Sequence, residues 1–224
     1  MQLEITEVAV RIPPAGLSAD LVIPAGAAGV VLFAHGSGSS RFSTRNRYVA
    51  GVLQQGGLAT LLLDLLTEAE EQVDLRTGHL RFDIDLLAKR LMEAEDWVHH
   101  WPSTKDLSIG YFGASTGAAA ALVAAARRPS LAGAVVSRGG RPDLAGSALP
   151  RVQAPTLLIV GGDDHQVIKL NEEALAELRC EKQLAIVPGA THLFEEPGTL
   201  EQVSKLALDW FGQHLSESHS PRKS

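Results

Sequence analysis

Short apolar runs alternate with stretches in which apolar residues recur every three or four positions. Val30–Ala34 is continuously apolar, as a strand covered on both faces should be. Runs at Leu58–Leu63, Leu107–Phe112, Ala134–Ser137, Thr156–Val160 and Leu184–Val187 repeat that character. Between them, Arg47–Gln55, Phe82–Trp101, Thr116–Arg127, Asn171–Leu178 and Thr199–His214 carry helical spacing. Strands alternating with helices predict an α/β fold built on a mostly parallel sheet. At the start, Leu3–Arg11 and Leu17–Ile23 read as two alternating strands. Pro13-Pro14-Ala15-Gly16 between them is too short for a crossover, so the pair is expected to be antiparallel. Eight strands and five or six helices account for most of the chain. No internal repeat or linker divides it, so residues 1–215 are expected to form one domain and residues 216–224 a polar tail.

Three long connections remain. His35–Asn46 is rich in Gly and Ser, Leu65–Leu80 is acidic with little periodicity, and Ser137–Pro150 is rich in Gly, Pro and Arg. They follow strands, and open α/β sheets place ligands at the carboxyl ends of their strands.

Composition narrows the class. The 224 residues are 45% apolar and 21% charged, enough to bury a core and too apolar for a disordered chain. One cysteine, Cys180, excludes an internal disulfide framework. The net charge of −6 opposes nucleic-acid binding. Met1-Gln2-Leu3-Glu4 begins no secretory signal, and Asp64 and Arg127-Arg128 interrupt the most apolar stretches before they could span a bilayer. A soluble, cytoplasmic protein without nucleic-acid or membrane partners is the expectation. Its oligomeric state is left open between a monomer and a small homo-oligomer.

The sharpest local signal is Gly113-Ala114-Ser115-Thr116-Gly117, placed between a strand and a helix. This is the context that a G-x-S-x-G nucleophile elbow requires. A serine on so tight a turn needs glycines where side chains would collide, and the helix N-terminus favours developing negative charge. The alternative reading is a helix entry with Ser115 as an N-cap. A serine hydroxyl also needs a base and a group to orient that base. Thr156–Val160 runs into Gly161-Gly162-Asp163-Asp164, and Leu184–Val187 into Pro188-Gly189-Ala190-Thr191-His192. Both sites therefore fall at strand carboxyl ends, on the same rim as Ser115. His192 is the candidate base, and either Asp163 or Asp164 the acid. A metal reading of Asp163-Asp164-His165 lacks further ligands, so no metal and no cofactor are expected.

Acyl transfer needs amides directed at the developing oxyanion. The Thr116 amide supplies one, and His35-Gly36-Ser37-Gly38 after the central strand supplies a second through Ser37. Neither dinucleotide nor P-loop glycine spacing is present there. His35 reads as a hydrogen-bonded structural histidine.

Taken together, His35-Gly36-Ser37-Gly38, the elbow, Gly161–Asp164 and Gly189-Ala190-Thr191-His192-Leu193-Phe194 resemble the α/β-hydrolase superfamily. Within it, the chain is similar to the compact, lidless dienelactone hydrolase-like proteins over about residues 30–214. The resemblance implies an eight-stranded sheet flanked by helices, no large cap domain, no cofactor and an acyl-enzyme mechanism. The spacing Gly161-x-x-Asp164-x-x-Val167 is similar to the family's acid loop, which selects Asp164. Dienelactone hydrolases proper use a cysteine nucleophile where this chain has Ser115, so the lactone substrate is not carried over. A serine esterase acting on small or short-chain esters is the implied activity. Acyl transfer, cofactor-free perhydrolysis and a non-catalytic binding role are the alternatives. Gly36, Arg41 and Arg138 are candidate substrate contacts. Arg41, Arg76, Arg81, Arg138 and Arg141 are candidates to meet an anionic substrate group, the alternative being solvated surface arginines.

Overall fold

A computed structural model describes residues 5–215; the first two residues of the expected opening strand and the polar tail lie outside that range. The strands are β1 (Ile5–Ile12), β2 (Leu17–Pro24), β3 (Gly29–Ala34), β4 (Ala59–Leu63), β5 (Ser108–Ala114), β6 (Ala132–Arg138), β7 (Thr156–Gly161) and β8 (Lys182–Val187). The helices are α1 (Thr44–Gln55), α2 (Glu68–Thr77), α3 (Ile84–His100), α4 (Thr116–Arg127), α5 (His165–Glu177) and α6 (Thr199–Leu215). One eight-stranded sheet runs in the order β1-β2-β4-β3-β5-β6-β7-β8. β1 and β2 pair antiparallel, as do β2 and β4; every pairing from β4 through β8 is parallel.

In the inner strands the continuous apolar runs are explained by helices on both faces; at the sheet edge Leu184–Val187 of β8 departs from the expectation, with Ile186 42% exposed. Along β3, Val30, Leu32 and Ala34 join a core with α3, α4 and α5, while Val31 and Phe33 join a second core with α1 and α6. This is the period-2 alternation of a strand applied to two buried faces. Seven of the twelve residues of helix α4 are alanine, and ten residues, Thr116–Ala125, are buried. Its small side chains let it lie directly behind the strand that carries the elbow. A polar cluster sits at the edge of this core. Tyr111 donates to the fully buried Glu95 at 2.5 Å, and Arg128 donates to the same carboxylate at 3.0 Å. Burial pushes the Glu95 carboxyl above its ordinary range, against the opposing pull of its Tyr111 and Arg128 donors.

Three expectations need correction. Leu65–Leu80 is not a loop throughout, because Glu68–Thr77 forms α2. Thr67 accepts from the Glu70 amide, Glu70 accepts from the Thr67 amide, and Gly78 closes the helix in the left-handed conformation. Helix α5 begins at His165, six positions before the apolar spacing suggested. Ser137–Pro150 is likewise not wholly irregular, since Pro142–Arg151 winds into 3₁₀ turns broken at Gly146.

Candidate active site

The site is built where β3, β5, β6, β7 and β8 end on one rim. β5 turns into α4 through Ser115, whose φ of 50° and ψ of −119° lie where non-glycine residues are strained. A Cβ at Gly113 would stand 2.4 Å from the Ala118 Cα, and one at Gly117 would stand 2.2 Å from the Ala34 carbonyl oxygen. Only glycine fits either position. The turn is also bonded to the end of β6: the Ser115 amide donates to the Arg138 carbonyl at 3.3 Å, and the Arg141 amide to the Ser115 carbonyl at 3.1 Å. Ser115 makes no side-chain cap hydrogen bond at the start of α4, which removes the N-cap reading.

Beyond β7, Asp163 is exposed and bonds the β8 loop through its backbone, donating to the Ala190 carbonyl at 2.9 Å. Asp164 occupies the N-cap position of α5 but makes no side-chain cap bond. Its Oδ2 instead accepts from His192 Nδ1 at 2.6 Å. A carboxylate only accepts, so the proton of a neutral His192 ring sits on Nδ1 and Nε2 is left with its lone pair. Only four residues separate β8 from His192. A Cβ at Gly161 would stand 2.3 Å from the Ala190 carbonyl oxygen, so the acid and histidine loops pack backbone to backbone. Thr191 donates to Glu196 from both its amide and its hydroxyl, at 3.1 and 2.6 Å. Phe194 turns the chain with φ 55° and is 2% exposed, plugging the second core beneath the loop.

Opposite, the loop after β3 runs against the nucleophile. A Cβ at Gly36 would lie 3.1 Å from that of Ser115. Ser37 follows on this loop, and Thr116, as the first residue of α4, has an amide with no intrahelical acceptor. His35 Nε2 accepts from the Leu65 amide at 3.1 Å, so its Nδ1 donates to the Gly36 carbonyl at 2.9 Å. Burial lowers its pKa below the usual imidazole value, consistent with a neutral structural ring.

Two cavities flank this loop. One, of about 270 Å³, brings together Gly36, Ser37, Ser115, Arg138 and His192. The other, of about 240 Å³, lies beneath α2 and is lined by Ser37 and Thr116 together with Leu65, Leu66, Leu75 and Leu87. Among the candidate contacts, Gly36 and Arg138 open on the first cavity, whereas Arg41 belongs to neither. Arg41 is drawn into ion pairs with Asp64 and Asp20, its amide also donating to Asp64 at 2.8 Å. Arg81 pairs with the nearly buried Asp74 at 2.6 Å, and Arg141 with Asp143 at 2.8 Å. Arg76 lies in the last turn of α2. Asn46 and Arg45, which also line the first cavity, escaped sequence reasoning because they sit on the first turn of α1 with nothing to tell them from capping residues. Among the described residues, no group of three or more histidine, cysteine or acidic side chains is arranged to hold a metal. No helix among them is long and apolar enough to cross a membrane.

The strand order, the strained serine elbow and the loops behind it define an α/β-hydrolase fold without a cap domain. Within that class, the chain belongs to the dienelactone hydrolase family, whose model matches residues 18–215. A crystal structure of a dienelactone hydrolase from Anabaena variabilis ATCC 29413 is 64% identical, with a TM-score of 0.92 over 96% of this chain and all of that one. Est1E from Butyrivibrio proteoclasticus shares the fold at 15% identity, with a TM-score of 0.75 over 92% of this chain and 98% of its own. Two curated relatives from Mycobacterium tuberculosis are 58% identical over 222 residues, covering 93% of this chain. Each bears the name "Putative phosphoribosyl transferase", and this chain spans 46% of their length.

Proposed function

We propose that the chain is a serine hydrolase that cleaves carboxylic esters of small or short-chain acyl groups. The observation that carries this reading is the 2.6 Å bond from His192 Nδ1 to Asp164, on the wall of the cavity that also holds the strained Ser115. In this reading His192 Nε2 takes the Ser115 proton as Oγ attacks the ester carbonyl. Asp164 holds the ring's tautomer and stabilises the imidazolium that forms. The Ser37 and Thr116 amides receive the oxyanion, and the alcohol leaves with the proton held by His192. Water, deprotonated by the same base, then releases the acid and restores Ser115. Leu65, Leu66, Leu75 and Leu87 in the second cavity, which charged residues of α2 also line, suit a short acyl chain beside the oxyanion loop.

The transferase name belongs to proteins about twice as long as this chain. Labelling with a fluorophosphonate followed by peptide mapping tests the assignment. Modification is expected at Ser115, and Ser115→Ala is expected to lose both labelling and p-nitrophenyl acetate hydrolysis while melting normally. Unchanged hydrolysis by Ser115→Ala would refute it.

A further inference from the structure

Arg138 is a buried cation without an anion. It leaves the end of β6 and is 7% exposed. Its Nη2 donates to the neutral Asn46 Oδ1 at 3.2 Å, its Nε has no partner, and its guanidinium lies 5.9 Å from the centre of the Phe194 ring. Arg41, Arg81, Arg128 and Arg141 each meet a carboxylate within ion-pair distance; among the described residues, none does so for Arg138. Burial, reinforced by the like charge of Arg45, pulls its pKa down to about 10. An uncompensated buried charge is a strong destabilising element unless a ligand supplies its counter-charge.

The same cavity holds a second guanidinium. Arg45 also has a buried Nε without a partner, and its ion pair, at 3.1 Å, is to Glu195, a side chain 64% exposed at the rim. Ser43 accepts from the Asn46 amide through its Oγ, which leaves its hydroxyl proton available to donate. Glu195 answers Arg45 only at the exposed rim, where water screens the pair, so a doubly charged group inside the cavity would meet the unpartnered Nε of Arg45 as well as Arg138. Two forked donors and a hydroxyl lining one cavity match the several oxygens of a tetrahedral anion. We propose that this cavity binds a dianionic phosphoryl group carried by the ester substrate, held by Arg138 and Arg45 beside Ser115. The inference rests on the hydrolase reading for the word substrate, but the anion site stands on its own geometry. The reaction would consume water and break the carboxylic ester, leaving the phosphate monoester intact on one product.

The test is calorimetric titration of the full chain with inorganic phosphate, in wild type and in Ser115→Ala, whose site needs no nucleophile to bind an anion. Saturable binding is expected in both. It should weaken about tenfold or more in Arg138→Gln and in Arg45→Gln, and acetate should bind at least about tenfold more weakly than phosphate. Arg138→Lys keeps the charge but not the fork, and should fall between wild type and Arg138→Gln. If Arg138→Gln fails to fold, Arg138→Lys and the more exposed Arg45→Gln decide. Absence of phosphate binding, binding unchanged in the arginine variants, or acetate binding as tightly as phosphate would each overturn the proposal. Failure of the hydrolase reading is separable, because Ser115 would then stay unlabelled while phosphate still bound.

Discussion

Replacing Asp164 by Asn separates the two adjacent aspartates and probes the catalytic reading directly. The bond it alters is short, 2.6 Å, and the Asp164 side chain is only 14% exposed. If the new amide turns its nitrogen towards the ring, it donates to Nδ1 and drives the imidazole proton onto Nε2, where no base is left to receive the serine proton. If it turns its oxygen instead, the tautomer survives, but the charge that stabilises the imidazolium is gone. A complete tautomer inversion costs on the order of 10⁴ in kcat in a serine triad. Here the His192 side chain is 40% exposed, so water screens part of the lost charge. The expected loss is therefore about 10²–10⁴ in kcat/KM, equivalent to roughly 3–5 kcal/mol of transition-state stabilisation. Asp163→Asn serves as the control, since Asp163 is exposed and meets the neighbouring loop through its backbone amide. It is expected to stay within about threefold of wild type. Hydrolysis of p-nitrophenyl acetate by both variants, with melting curves to establish folding, decides the matter. Equal losses, or a larger loss in Asp163→Asn, would refute the argument.

Two further outcomes follow from packing and protonation. Gly117→Ala forces a Cβ to 2.2 Å from the Ala34 carbonyl oxygen, a backbone atom that cannot rotate aside. It should cost about 3 kcal/mol in urea unfolding, and a loss below about 1 kcal/mol would show that the elbow can widen. His35 binds its proton less readily folded than unfolded, because burial lowers its pKa. Its contribution to stability is therefore complete above the ordinary imidazole value of about 6.5 and is lost as pH falls through the lowered one. His35→Gln should show a smaller drop in urea midpoint between pH 7.5 and pH 5 than wild type; an equal drop would remove His35 as an acid-sensitive group.

The inner strands of the sheet were legible because burial on both faces writes itself as short continuous apolar runs; buried α4 carries a similar run and differs in its length and alanine content. The elbow was legible for a similar reason, since steric exclusion at Gly113 and Gly117 demands particular residues at fixed spacing. Helix α2 was not. Its ten residues bury only Asp74, so no apolar stripe marks it, and its signal was the local pair Thr67 and Glu70 with Gly78 at the end. The start of α5 was obscured because the Asp164 carboxylate at its cap position serves His192 instead. The arginines show a different limit. Arg41 and Arg138 look alike in sequence, each on a polar rim connection. What separates them is whether a carboxylate 23 residues away happens to arrive, as Asp64 does for Arg41, and that is a property of topology.

The four-residue link between Val187 and His192 has little room to vary. It is pressed against the β7 turn, braced by Glu196 and pinned from below by the aromatic plug at Phe194. An insertion there would lift the imidazole off its acid, so that side of the mouth is closed to experiment by mutation. New substrate preferences would have to be written across the gap, in the segment from Ser37 through α1 and in the α2 roof, where lengthening the chain leaves the histidine and its acid undisturbed.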